Sequence, residues 1–279
     1  MPAANPRRFL LKLLFAAEGQ SLSTREMLAA GELMGFSTNS LRVALVRLTR
    51  DGLVASPARG IYGIGPEAAA LAEDASHWRA GELRVRPWTG EWIAVHTGGL
   101  ARTDRTALRR RARVLEWVGL REYTRDLYLR PDNLTGGVGA VRSRLRQLGL
   151  EQDATVIVAR DFEATELERV HKLWDGAALS RQYQRMRLDL EGWLKRADEL
   201  ELQVAAREVY RAGDAAIRTL IFDPLLPEPL VDVAARAAFT DAVRRFDDVG
   251  HQIWRALSLE NSAVVPPKAR GSQARHRTH

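Results

Sequence analysis

The chain of 279 residues contains no cysteine. Disulfides, thiolate metal sites and cysteine nucleophiles are therefore excluded, and a cytoplasmic location is expected. Long apolar runs are also missing, because Lys12 interrupts the early apolar stretch from Phe9 to Ala17 and no other segment approaches the roughly 20 apolar residues of a membrane span. We therefore expect no association with a membrane.

Histidine is scarce, with six residues in the whole chain and none in the His-Glu-x-x-His spacing of zinc hydrolases. The most site-like grouping places His96 at the end of a predicted strand with Asp104 soon after it. One histidine beside one carboxylate is a commonplace arrangement. We therefore predict no catalytic residue, no bound metal and no cofactor, and keep a metal-dependent, nuclease-like enzyme as an alternative.

Positive charge is in excess, with a formal net charge of +7 and an isoelectric point near 10.2. Such a balance favours an anionic partner without implying sequence specificity. Part of the excess lies in a basic tail at residues 261–279, which has almost nothing to bury and is predicted to be disordered. The remaining length exceeds one typical domain, so two or three domains are expected.

The stretch from Ser21 to Ile64 has the pattern of a winged helix-turn-helix. A capping box at Ser23-Thr24-Arg25-Glu26 opens one helix, and Gly35 supplies the turn before the next. Ser37 is placed to cap that second helix, whose apolar residues fall at i, i+3, i+4 and i+7: Leu41, Ala44, Leu45 and Leu48. Gly52 is placed to end it.

The other side of this second helix carries the residues expected to contact DNA. Arginine can bind guanine edges or phosphates, asparagine can pair with adenine, and valine can contact a thymine methyl group. Two short strands after Gly52 predict a hairpin, the wing, with Arg59 near a phosphate or the minor groove. The predicted DNA-contacting set is Thr38, Asn39, Ser40, Arg42, Val43, Arg47, Arg50, Arg59 and Tyr62. A winged helix that binds a protein partner is the alternative.

The middle of the chain alternates strands with helices. The pattern predicts strands at 91–96, 126–129 and 154–159, and helices at 103–117 and 134–148. Such short units favour a ferredoxin-like α+β domain over a large doubly wound sheet. Gly136, Gly137 and Gly139 precede the second helix but lack the Lys-Ser/Thr of a P-loop. They are followed by three arginines, Arg142, Arg144 and Arg146, whose positive charge is compatible with a phosphorylated effector.

Strand signals nearly vanish after Asp161, and helical periodicity replaces them. We predict a helix that Asp175-Gly176 ends, a longer helical stripe from Leu179 to Leu194, and further helices from about 200 to 220 and from about 230 to 257. The prolines of 222–229 are expected to interrupt the helices. A short helix at 67–79 is predicted to lead out of the first domain. The fold class is thus α+β, with a winged helix-turn-helix at 1–80, a ferredoxin-like domain at 88–160 and an all-helical domain at 161–260.

Several motifs, taken together in the order in which they follow along the chain, resemble those of the PaaX-type transcriptional regulators. The resemblance extends from about Phe9 to Leu257. The first two motifs are the predicted recognition helix and Arg59-Gly60-Ile61-Tyr62 in the wing. They are followed along the chain by Trp88-Thr89-Gly90-Glu91-Trp92, Leu173-Trp174-Asp175, Tyr183 and Asp223-Pro224-Leu225-Leu226-Pro227. The sequence departs from the family where Leu230-Val231-Asp232-Val233 replaces its usual Trp-Pro-Gly.

The resemblance implies a homodimeric repressor of transcription that binds a double-stranded DNA operator. It also implies that a small-molecule effector, an aryl-acyl-coenzyme A, releases the repressor, and that 161–260 serves effector binding and dimerisation. The operator sequence and the effector-binding residues do not follow from the motifs.

Overall fold

The computed structural model describes residues 5–17, 19–68, 77–101 and 103–263. They form two compact units. One takes in Met1–Leu71, Leu200–Glu208 and Val249–His279, and the other Ala72–Glu199 and Val209–Asp248, in so far as these residues are described. The described part of the chain is mixed α/β, with two antiparallel sheets and a helical C-terminal region. No helix within the described ranges combines the length and apolarity that a bilayer span requires.

The first unit opens with three helices and a small sheet. Its elements are α1 (Pro6–Ala16), β1 (Leu22–Ser23), α2 (Thr24–Leu33), α3 (Thr38–Arg50), β2 (Val54–Ala58) and β3 (Ile61–Ile64). The three strands are antiparallel in the order β1-β3-β2.

Local sequence signals explain the helix starts of this unit. Ser23 and Glu26 form the complete capping box of α2, and the Ser37 hydroxyl accepts a hydrogen bond from the Ser40 amide at the start of α3. Leu41 is fully buried against Gly31 of α2, where a Cβ would overlap its side chain. A glycine at this position therefore lets α2 and α3 approach closely.

The second unit contains a four-stranded antiparallel sheet. Its elements are a 3₁₀ segment (His77–Arg84), β4 (Trp92–His96), α4 (Arg105–Trp117), β5 (Arg121–Thr124), β6 (Leu127–Pro131), α5 (Gly137–Gln147) and β7 (Thr155–Ala159). The strand order is β5-β6-β4-β7. In the central pairing, Ala94 lies opposite Leu129 on one side and opposite Ile157 on the other. β5 is a strand that the sequence analysis did not predict.

Two helices cover one face of this sheet. Val114 and Leu115 of α4 and Val141 and Leu145 of α5 pack in one buried cluster with strand residues, among them Ile93, Val95 and Val156. On the other face, the Trp92 ring stacks against Trp174 with centroids 6.0 Å apart. The helices α4 and α5 therefore form a layer on this face of the sheet, and at the end of α4 the Trp117 ring contacts Phe222 with centroids 5.4 Å apart.

The helical region follows as α6 (Ala164–His171), α7 (Gly176–Arg196), α8 (Leu202–Ile221) and α9 (Val233–Ala263), with a 3₁₀ turn at Ala197–Glu199. Asp175 does not end a helix as predicted, because its side chain accepts a hydrogen bond from Ala178 and caps the start of α7. In the second unit, Tyr183 stacks on Phe239 and Trp193 contacts Phe246, which joins α7 to α9.

Two sequence predictions reach residues that the structure does not describe. The predicted helix at 67–79 overlaps a described helical stretch at 66–68 and the beginning of the 3₁₀ segment at His77. Residues 69–76 lie outside the described ranges. The predicted disordered tail also lies outside them, apart from the final residues of α9.

Candidate nucleic-acid interface

Helix α3 separates its residues into a buried and an exposed side. Leu41, Ala44, Leu45 and Leu48 are at most 4% exposed and occupy an arc of about 100° around the helix axis. At about 100° per residue, the opposite arc of about 140° holds six of the seven exposed residues of α3. These are Asn39, Arg42, Val43, Val46, Arg47 and Arg50.

Two exposed valines lie among the cations of this face. Val43 is 42% exposed and Val46 is 68% exposed. Neither contributes to the buried side of α3, and the angular order places Val46 between Asn39 and Arg42. A surface that combines guanidinium groups with small apolar side chains has the chemistry needed to contact base edges and thymine methyl groups.

The first turn of α3 is more constrained than its sequence suggests. The Thr38 hydroxyl donates a hydrogen bond to the Glu32 carboxylate, and the Ser40 hydroxyl donates to the Ser37 carbonyl at 2.8 Å. Both hydroxyls therefore have intramolecular acceptors, whereas the Asn39 side chain is exposed. Glu32 also places a negative charge beside this end of the helix, which the sequence analysis did not consider.

The last turn of α3 contains an acidic group that binds two of the cations. Asp51 accepts hydrogen bonds from Arg50 at 3.1 Å and from Arg7 of α1 at 2.8 Å. The hydrogen bond from Arg50, with the nearby charges of Arg50 and Arg7, holds the pKa of the Asp51 carboxyl below its usual value. Arg50 therefore delivers less net positive charge to this surface than Arg42 or Arg47.

The turn between β2 and β3 carries Arg59 and is attached to α2. The Thr24 amide and hydroxyl both donate to the Gly60 carbonyl, at 2.7 and 3.1 Å. Gly60 has a φ of 75°, a conformation that favours glycine. Arg59 itself is exposed, whereas Tyr62 is half-buried in β3, opposite Leu22 of β1. The structure thus fixes the backbone of the turn and leaves Arg59 in solvent.

The groups considered for catalysis do not assemble into a site of that kind. His96 is exposed at the end of β4, and the Asp104 carboxylate accepts a hydrogen bond from the Thr106 amide at 2.7 Å as the cap of α4. Among the described residues, the ligand-type groups of three or more do not include either side chain. At the start of α5, Gly136 and Gly137 adopt positive φ angles, and Arg142 donates to the Val156 carbonyl instead of pointing to that end.

Comparison with known proteins identifies the C-terminal region. Residues 174–256 match the family model described as PaaX-like protein C-terminal domain. The chain carries a PaaX-like C-terminal domain. Tyr183 and the Asp223–Pro227 segment, which contributed to the resemblance predicted from the sequence, both lie inside it, and the resemblance is confirmed. No curated protein sequence matches the chain significantly.

A solved structure supports the fold outside the PaaX-like domain as well. The chain is similar to the uncharacterized protein Rv0674 from Mycobacterium tuberculosis, with a TM-score of 0.63 and 22% sequence identity. The match covers 90% of this chain and 98% of that one. At this level of identity the similarity concerns the fold alone.

Within the second unit, residues 224–225 are attached to the four-stranded sheet by buried polar groups that the sequence analysis missed. Arg130 of β6 is 2% exposed and donates to the carbonyls of Val118, Pro131 and Pro224. Burial and the nearby charge of Arg84 lower the pKa of Arg130 to about 9. Asn133 donates to the Leu225 carbonyl at 2.6 Å. The backbone of 224–225 therefore satisfies donors from the sheet.

A second buried arginine attaches the 3₁₀ segment to α9. Arg236 is 1% exposed, donates to both carboxylate oxygens of Glu82 at 2.8 and 2.9 Å, and donates to the Leu226 carbonyl at 2.6 Å. The residues around Glu82, which the sequence places at a domain boundary, are thus an integral part of the second unit. Leu230 and Val231, where the sequence departs from the family, are buried at 9% and 5% exposure.

Proposed function

We propose that this protein is a sequence-specific DNA-binding regulator of transcription, and that α2, α3 and the β2–β3 hairpin form a winged helix-turn-helix. The observation that carries the proposal is the exposed face of α3, which presents arginines, an asparagine and two exposed valines opposite a fully buried apolar stripe. The PaaX-like C-terminal domain supports the same class of protein.

In this proposal α3 enters the major groove as the recognition helix. Arg42 and Arg47 bind guanine edges or phosphates, Asn39 pairs with adenine, and Val43 or Val46 contacts thymine methyl groups. Arg59, on a turn whose backbone is held by Thr24, binds the DNA backbone or the minor groove. Arg50 has a smaller role, because Asp51 compensates its charge.

We further propose that the protein acts as a homodimeric repressor and that an aryl-acyl-coenzyme A effector releases it from the operator. The order β4-α4-β5-β6-α5-β7 and the strand order β5-β6-β4-β7 support a ferredoxin-like middle domain. A dimer would place two recognition helices at half-sites one helical turn, or a multiple of it, apart. The effector would favour a dimer geometry that no longer matches this spacing.

The test is operator binding by the double variant Arg42→Ala, Arg47→Ala, measured by gel shift on the DNA upstream of the protein's own gene. Each side chain that contacts a base should contribute roughly 1–3 kcal/mol to the binding free energy. The matched control is Arg181→Ala, Arg185→Ala, which removes two exposed charges from α7. Unchanged operator affinity in a folded Arg42, Arg47 variant would contradict the proposal.

The effector is tested separately by thermal shift with acyl-coenzyme A thioesters. A ligand that binds only the native state must raise the unfolding temperature, by an amount set by its concentration relative to Kd. The thioester that stabilises the protein should also release it from operator DNA in the gel shift. Stabilisation without release would contradict the effector role and leave the DNA-binding proposal untouched.

A further inference from the structure

The outer face of helix α4 is a second strongly cationic surface. α4 contains five arginines and one acidic residue, and the neighbouring α5 contains three arginines and no acidic residue. At about 100° per residue, Arg105, Arg109 and Arg113 follow one another at steps of about 40° and form a single stripe. All three are exposed. We call Arg105, Arg109 and Arg113 the α4 stripe.

Packing of the sheet does not account for the α4 stripe. Val114 and Leu115 make the buried side of α4, and the one buried arginine of the helix, Arg111, has its own acceptors in Glu151 at 2.8 Å and the Ala101 carbonyl at 3.2 Å. Like charges four residues apart destabilise a helix by about 0.2–0.5 kcal/mol per pair. The stripe contains two such pairs, so it opposes helix stability.

The surface continues beyond the stripe. Arg110 is exposed, and its side chain runs beside Gly149 just after α5, which brings the two helices into one layer. Arg146, near the end of α5, is exposed as well. Glu116, the acidic residue of α4, lies 3.8 Å from Arg121, which partly compensates its charge. The layer therefore presents mostly guanidinium groups to solvent.

We propose that the α4 stripe binds the phosphate backbone of double-stranded DNA, as a contact surface additional to α3. With a rise of about 1.5 Å per residue, the stripe is about 12 Å long. Duplex DNA carries one charge per about 3.4 Å of axis on each strand, so the stripe spans about three to four phosphates of one strand. Exposed guanidinium groups bind phosphates without reading bases. The stripe thus adds affinity that is independent of sequence and steeply dependent on salt.

This inference rests on the proposed function, because it takes DNA to be the partner. It is tested by the salt dependence of DNA binding. Fluorescence anisotropy gives the association constant for a 40-base-pair duplex of unrelated sequence across a salt series. The slope of log K against log salt is about −0.9 per phosphate neutralised. Replacing the three arginines by glutamine should therefore make the slope shallower by about 2 to 3. It should also lower the affinity most at low salt.

The matched control is Arg181→Gln, Arg185→Gln, Lys195→Gln, which removes three exposed charges from α7. It should leave the slope within about one phosphate of the parent value. An unchanged slope in the α4 variant would overturn the inference, and so would an equal change in both triple variants, since that would reflect net charge alone. A melting temperature equal to the parent's or higher confirms that the α4 variant folds. If the α4 variant keeps the parent's slope while DNA binding still depends on Arg42 and Arg47, the α4 stripe is not a DNA-contact surface and the regulator proposal stands.

Discussion

Glu82→Ala is expected to destabilise the second unit strongly, although Glu82 lies where the sequence suggests a connection between domains. Arg236 is 1% exposed and depends on Glu82 for two of its hydrogen bonds, at 2.8 and 2.9 Å. Removing one partner of a buried ion pair leaves the other charge uncompensated and costs about 3–5 kcal/mol. The Glu82 side chain is 31% exposed, which places the expected loss near the lower end of that range, about 3 kcal/mol.

Urea unfolding, followed by circular dichroism, measures this loss, and thermal melts should show a fall of about 6–12 °C at about 2–4 °C per kcal/mol. Glu191→Ala is the control, because Glu191 pairs with the 62% exposed Arg245 and should lose less than about 1 kcal/mol. In Glu82→Ala, Arg236→Met the buried charge is gone, so part of the stability should return. A loss below about 1 kcal/mol in Glu82→Ala, or a double variant as unstable as the sum of the single ones, would refute this reasoning.

Two further predictions concern carboxylates whose pKa the fold displaces. Burial raises the pKa of Asp223 above its unfolded value near 3.9, so the stability it contributes is present below that value and is lost as pH rises through the folded pKa. The stability of Asp223→Asn relative to the parent should therefore increase in urea melts as pH rises above the unfolded pKa, and a constant difference would contradict this. Asp51→Asn should release Arg50 and Arg7 for DNA and steepen the salt dependence of duplex binding by up to about 0.9 per new phosphate contact. An unchanged slope in anisotropy titrations would show that these arginines do not reach DNA.

The helices that carry the candidate interface were predictable because their signals are local. The buried residues of α3 repeat at i, i+3, i+4 and i+7, and Ser23 and Ser37 cap helices at the positions where the sequence places them. Such patterns need only neighbouring residues. The pairing of Asp51 with Arg7, 44 residues apart, has no local signature, and so this contact between α1 and the end of α3 emerged only from the structure.

Strand β5 was missed for a related reason. Its sequence Arg-Glu-Tyr-Thr contains no aliphatic residue, and only its last two residues, Tyr123 and Thr124, are of types enriched in strands. The strand forms because it pairs with β6 across a short turn in which Asp126 has a φ of 63°. Its stability therefore comes from the neighbouring strand, and a pattern of burial alternation in four residues was too short to predict it. Asp175 was assigned to the wrong helix because a carboxylate beside glycine suits either the end of one helix or the start of the next.

The arginines of α4 show how far periodicity can separate structural from functional charge. Arg111 lies about 240° around the helix from Arg105, between Val114 and Leu115, and the fold buries it with Glu151 as its partner. Arg105, Arg109 and Arg113 lie within about 80° of one another on the opposite side. Composition gives only a net charge of +7, whereas helical position divides the same residue type into one that is buried with a carboxylate partner and others that are exposed on the opposite side. Helical position alone does not identify the partner of Arg105, Arg109 and Arg113. The salt dependence of DNA binding tests whether that partner is DNA, because direct phosphate contacts and net charge alone predict different slopes for the two triple variants.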